Sequence, residues 1–241
     1  GDQLTVDWGD GNIQTFNGQT TLLDLEHTYN NTIIPEYYTI KMFGNITQWT
    51  HYGLGFVSGQ IVKVVRFADT LTSLYGAFAF GGKAGNAGIG PLELPRLPSS
   101  VTNLSRTFYD FGDRPIVGLQ NWSTSNVTTL SGFAEGSKFN EDISMWDVSN
   151  VSNFNDSFYG TSSFNQNLGN WDMSGISNAA NMLDNSGLSN ANWDATLNGW
   201  NNTIPSTGTA YARIGALNLN RTSASNTAYN AITSRGWEII T

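Results

Sequence analysis

Cysteine is absent from the 241 residues, so no disulfide can staple the fold and no thiolate is available as nucleophile or metal ligand. Histidine occurs only twice, at His27 and His51. With no Cys nucleophile and no G-x-S-x-G elbow either, the usual hydrolase triads find little support. Charge is scarce as well: Asp, Glu, Lys and Arg make up 12% of the chain, about half the share usual in soluble domains. The eleven basic residues are scattered and outnumbered by nineteen acidic ones, for a net charge of -8. That balance argues against a surface that tracks nucleic-acid phosphates, because such surfaces concentrate Lys and Arg on one face. No apolar run approaches the roughly 20 residues that span a bilayer, and the N-terminus has no basic, apolar signal segment. The chain opens at Gly1 in mid-pattern, which predicts a fragment of a longer polypeptide, with no membrane insertion in this part.

What is present is apolar and repetitive. Hydrophobic residues at 39% and aromatics at 12% suffice for a continuous core in one or two domains. Asn, Ser, Thr and Gly fill the polar share, a composition suited to turns and repeated side-chain hydrogen bonds. From Val127 to Trp193 one sentence is written about two and a half times. Trp122, Trp146 and Trp171 recur 24 and 25 residues apart, and so do Val127, Val151 and Ile176. A period in that range marks stacked coils, since one coil cannot bury its own apolar face.

The same frame extends backwards. Its lines read Val64, Phe67, Leu71, Leu74 and Phe78; Leu94, Leu97, Val101, Leu104 and Phe108; Leu119, Trp122, Val127, Leu130 and Phe133; Ile143, Trp146, Val151, Phe154 and Phe158; and Leu168, Trp171, Ile176, Ala179 and Leu183. The third line reads as one residue short between Leu130 and Phe133. Residues 81–90, with five glycines in ten, read as a flexible insertion in the first coil. Ahead of the frame, LTVDWGDGNIQTF alternates like a hairpin about a turn at Asp10-Gly11. Behind it, Thr222 or Ser223 can cap a helix running to about Ser234, with Gly236 ending it and WEII following as a strand. This tail is in position to cover the last coil.

Several stretches carry resemblances. L-x-L-P-x-x-P-x-S-V-T-x-L followed by Phe resembles the BspA-like leucine-rich repeat, and FNEDISMWDVSNVSNF with FNQNLGNWDMS resembles the mycoplasma-type surface lipoprotein repeat. WDATLNGW, from Trp193 to Trp200, is similar to the closing segment of that family. VDWGDG, then HTY, then YYTIKMFG resembles the PKD-like β module of bacterial surface proteins. The fifth coil departs from the pattern, with Leu188 where the FN pair would begin. The resemblance implies a mainly β chain with short helical segments: an N-terminal antiparallel β domain at 1–61, a leucine-rich-repeat-like right-handed solenoid of about five coils at 62–192, and a C-terminal helix-strand cap at 193–241. It also implies an exported module on a cell or virion surface, a bacterial adhesin or a phage receptor-binding part whose partner is a surface protein or glycan.

If I-x-x-W-x-V is the short parallel strand of each coil, the residues between the apolar ones face outward. Arg96, Asn121, Ser123, Met145, Asp147, Asn170 and Asp172 are then the candidate ligand-binding face. The alternative is that such Asn, Asp and Ser side chains satisfy loop backbone from coil to coil. Tyr75, Tyr109 and Tyr159 could stack on sugar rings, although a repeated aromatic is more often core. Asp7, Asp10 and Asn12 offer hard oxygen ligands for calcium, without the closing bidentate Glu of an EF-hand; a turn held by Asp side chains is the commoner reading. No other cofactor is expected. Asp147 with Asp172 has the spacing of a glycosidase pair if adjacent coils sit about 5 Å apart, but any Trp-Asp ladder gives that spacing. The expectation is a non-enzymatic binding module, with a structural spacer of a long surface fibre as the alternative and a carbohydrate-active enzyme behind both.

Overall fold

The computed structural model describes residues 3–8, 11–17, 41–43, 46–48, 64, 66–79, 90–206 and 212–241. The chain divides into two compact units, Gly1–Thr47 and Gln48–Thr241.

In the first unit, β1 (Gln3–Asp7) pairs antiparallel with β2 (Ile13–Asn17) on one side and with β3 (Lys41–Phe43) on the other. Leu4 faces Phe16 and Val6 faces Gln14. Val6 and Trp8 are buried, as their two-residue spacing requires. The Trp8 indole N–H donates to Gln14 Oε1 at 3.0 Å, and the Trp8 backbone N–H donates to the Asn12 carbonyl at 3.0 Å, closing the turn. Ile13 lies opposite Asp7 on the other face, 63% exposed.

In the second unit the frame of apolar residues is the core. Each of its positions from Val64 to Leu183 is buried. Successive coils are joined by parallel bridges running Gln48, Ser73, Asn103, Thr129, Asn153, Asn178, with Ala179 then bridging Ile214. The bridges fall in the V-x-x-L segment of the repeat and not in I-x-x-W-x-V. That second segment is a chain of turns: Trp122, Trp146 and Trp171 donate their backbone N–H to the carbonyl three residues back, on Leu119, Ile143 and Leu168, at 3.0, 3.1 and 3.0 Å. Val127 and Val151 do the same to Thr124 and Val148, both at 2.8 Å. A strand would send two residues three apart to opposite faces, whereas a turn returns both to one side. Among the described residues, short strands occur beside this segment only at β4 (Leu92–Glu93) and β5 (Ile116–Val117), which pair in parallel.

Backbone hydrogen bonding after each bridge explains how a chain with so little regular strand stays closed. Leu104, Arg106, Phe108 and Asp110 donate to Thr129, Ser131, Phe133 and Glu135 of the next coil, while Thr107, Tyr109 and Phe111 donate three residues back within their own coil. Alternate N–H groups thus tie coils together and the others shape the coil, so the buried backbone is satisfied. Two left-handed residues in each of four coils make this path possible: Arg106 and Asp110, Gly132 and Gly136, Asp156 and Gly160, Asn181 and Asn185. Gly, Asn and Asp tolerate that region best, which accounts for much of the composition.

The same bonding corrects one alignment. Phe108 donates to Phe133 O, and Ala134 donates to Ser157 O, so Ala134 occupies the register position of Phe108 and Phe158. The third coil is not short. Its Phe133 fills the neighbouring buried slot that Thr107 and Ser157 hold in adjacent coils.

The tail continues the stack. Helix α1 (Asn190–Trp200) starts at Ser189, whose hydroxyl accepts from Asn192 N–H at 3.3 Å. Strand β6 (Ala212–Gly215) carries Ile214 into the bridge ladder, and β7 (Trp237–Ile240) pairs in parallel with β6. Helix α2 (Asn226–Ser234) packs on α1 and buries Ala228 and Ile232. A single 3-10 turn capped by the Thr222 hydroxyl precedes it, and Gly236 at φ 95° ends the segment. Among the described residues no helix is long and apolar enough to cross a membrane.

Candidate functional site

The tryptophans define one side of the last three coils from within, at the position that Phe67 and Leu97 hold in the first two. Trp122 and Trp146 stack with ring centroids 6.0 Å apart and planes 11° apart. Trp122, Trp146, Trp171, Trp200 and Trp237 donate their indole N–H to the carbonyls of Pro95, Leu119, Ile143, Leu168 and Pro205, 3.0, 3.4, 3.0, 2.9 and 2.8 Å away. The last two belong to the tail, so Trp200 and Trp237 hold the place that the repeat gives to its tryptophans. Each indole buries its rings and spends its one donor on the coil before.

The residue just before each Trp stands at the corner of the turn. Arg96 before Leu97, and Asn121, Met145 and Asn170 before their tryptophans, are all exposed, Met145 to 84%. Among the described residues their side chains receive and donate no hydrogen bond. Ser123, just after Trp122, is exposed in the same way.

Asp147 and Asp172 behave differently. Asp147 Oδ1 accepts from the Ser149 backbone N–H at 3.1 Å and from its hydroxyl at 2.7 Å; Asp172 Oδ1 accepts from Ser174 N–H at 2.9 Å. The Ser149 hydroxyl and N–H hold the Asp147 carboxyl below the usual carboxylate range, the opposite of what a proton donor in a glycosidase needs. Both aspartates close turns, as Asx side chains do. The seven residues of the expected face therefore separate into five that are free and two that hold backbone.

Other repeated asparagines are structural too. Asn103, Asn153 and Asn178 each accept from the N–H two residues on, at 2.8, 3.0 and 3.1 Å. Asn126 and Asn150 donate their amides to Ser99 and Ser125 of the preceding coil, both at 2.7 Å. In the FN pairs, Asn140 Oδ1 accepts from Asn165 N–H, and Asn165 Oδ1 from Ser189 N–H, both at 2.8 Å. Ser189 thus continues the column where the FN pattern is lost.

Residues 98–208 match the family model described as "Mycoplasma protein of unknown function, DUF285". The matched stretch holds the Trp-x-x-x-x-Val turns, both FN pairs and helix α1. No curated protein and no solved structure matches the chain.

The remaining candidates fare unevenly. Tyr109 and Tyr159 share a register position, one after Phe108 and Phe158, and Tyr159 is 41% exposed. Tyr75 follows Leu74 and belongs to a different column, so the three do not line up. The Arg106 guanidinium sits 5.3 Å from the Tyr109 ring centroid. Asp7 is half-buried in β1 and Asn12 is exposed beyond it; Asp10 lies outside the described residues, as do His27, His51 and residues 81–89. Among the described residues no group of three or more His, Cys, Asp or Glu could hold a metal ion. Glu135 was not singled out by any motif. Burial raises its carboxyl above the usual range, with Asp156 adding to the rise and Arg106 opposing it.

Proposed function

We propose that this chain is a non-enzymatic recognition module displayed on a cell or virion surface, binding a protein or glycan receptor. In this reading residues 62–192 form a leucine-rich-repeat-like right-handed solenoid, with a PKD-like β module ahead of it and the tail as its cap. The receptor docks along Arg96, Asn121, Met145 and Asn170, with Ser123 beside them. The supporting observation is a division among the repeated side chains: the recurring asparagines Asn103, Asn153 and Asn178, Asn126 and Asn150, and Asn140 and Asn165, with Asp147 and Asp172, hold backbone, while this column is exposed and free. A flexible Met flanked by amides and one Arg offers both apolar contact and directional hydrogen bonds, the mixture that a specific polar interface uses. The extensive use of polar side chains between coils also supports a second reading, a structural spacer in a long surface fibre. A glycan array run alongside a pull-down from surface-protein extracts separates the two. Enrichment of a specific glycan or protein is the expected result, and binding in neither would leave the spacer.

A further inference from the structure

Where the last repeat meets the tail strands, a cavity of about 180 Å³ is lined by Ala180, Asn181, Asp184, Arg213, Gly215 and Ile240. Its walls meet tightly: a Cβ on Gly215 would lie 2.3 Å from the Asn181 Cα. Asp184 is only 7% exposed. Its Oδ1 accepts from Leu217 N–H at 2.8 Å. No hydrogen bond to its Oδ2 is made by the described residues, and Asp184 lines the cavity. Arg213 is fixed at the rim, where its Nε donates to Glu238 Oε2 at 2.8 Å; its terminal nitrogens have no partner among the described residues. The Asn181 amide donates to Asp156 Oδ1 at 2.9 Å, leaving its own carbonyl oxygen available.

We propose that this cavity binds a single pyranose ring. It sets an acceptor-only carboxylate and a donor-only guanidinium around one small volume, with an apolar wall from Ile240 and Ala180. Hydroxyl groups both donate and accept, so a sugar can satisfy Asp184 and Arg213 together and lay a C–H face on Ile240. A metal cation would meet the Arg213 guanidinium, and an inorganic anion the Asp184 carboxylate. An amino acid carboxylate would compete with Glu238 for Arg213. The volume is below the roughly 300 Å³ at which drug-sized sites begin, which fits one ring and not a chain. The site is distinct from the Trp-turn column, so each can fail without the other.

The test is a saturation-transfer NMR titration of the full chain with D-glucose, D-galactose, D-mannose and N-acetyl-D-glucosamine, and with glycine as an amino acid probe. Ala180→Leu fills the cavity without removing a side-chain hydrogen bond, and Arg213→Gln removes the charge at the rim. Saturation of at least one pyranose is expected, with affinity falling about tenfold in each variant and melting temperature unchanged. The proposal is overturned if none of the four sugars receives saturation, if both folded variants bind as well as the parent, or if glycine alone is saturated.

Discussion

Replacing Trp171 by alanine removes a fully buried side chain that packs against Phe154 and Phe158, with ring centroids 5.8 and 6.2 Å away, and donates to the Ile143 carbonyl at 3.0 Å. A buried aromatic hides about 150 to 250 Å², which at about 25 cal/mol per Å² corresponds to roughly 4 to 6 kcal/mol. Alanine keeps a small part of that, and measured aromatic-to-alanine changes in cores cost about 3 to 5 kcal/mol. The Ile143 carbonyl loses its partner as well, so a loss of about 4 kcal/mol is expected. Trp171→Phe keeps most of the apolar area and loses only the donor, for about 1 to 3 kcal/mol. Urea unfolding followed by far-UV circular dichroism measures both, since the remaining tryptophans would dominate fluorescence. A cost below about 1 kcal/mol for the alanine variant would refute the buried Trp ladder. Equal costs for the two variants would assign the whole effect to the hydrogen bond.

Three further outcomes follow from the geometry. Asp194 is buried; burial opposes its charge, yet hydrogen bonds from Ser225 and Thr222 and the Arg221 charge hold its carboxyl below the usual range. Its contribution is therefore present above the unfolded carboxyl value of about 3.9 and lost as pH falls through the lower folded value, so acid melting curves of the parent and Asp194→Asn should converge; a constant gap in melting temperature down to that range would count against it. Gly199→Ala would place a Cβ 2.0 Å from the Gly169 carbonyl oxygen, and a calorimetric melt should register about 1 to 3 kcal/mol of overpacking; an unchanged melt would mean the coils are not in this close contact. Asp147→Ala combined with Asp172→Ala should lower stability by about 0.5 to 1.5 kcal/mol for each turn opened, whereas Asn121→Ala and Met145→Ala should leave the denaturation midpoint where it is.

The core was legible because burial follows apolar residues at fixed intervals, and every residue of the 25-residue frame lies inside. The N-terminal hairpin, the Thr222 cap, the Gly236 stop and the WEII strand were legible for local reasons: alternation, a side-chain oxygen and a residue at positive φ. The secondary structure of I-x-x-W was misread although the spacing contained the answer. Ile143 and Trp146 are three apart, and a strand cannot face both inward. The left-handed column was hidden because Arg106 carries no mark of it, unlike Gly132, Asp156 and Asn181 at the same position. The continuation of the ladder through Trp200 and Ile214 was hidden because residues 190–200 replace the turn by a helix and change the period. Of the expected site, exposure was legible but duty was not, since Asp147 holds a turn and Asn121 does not, and only hydrogen-bond geometry separates them. The Asp184 and Arg213 cavity brings together positions 29 residues apart, one in the repeat and one beyond it, and no motif joins them.

The most direct measurement compares the parent chain with the triple variant Asn121→Ala, Met145→Ala, Asn170→Ala in the same glycan array and surface-protein pull-down, with melting temperatures measured in parallel. These three side chains carry no hydrogen bond among the described residues, so the account predicts an unchanged melting temperature and loss of the partner that the parent enriches. Retention of that partner by a fully folded triple variant would contradict the claim that the Trp-turn column is the recognition surface.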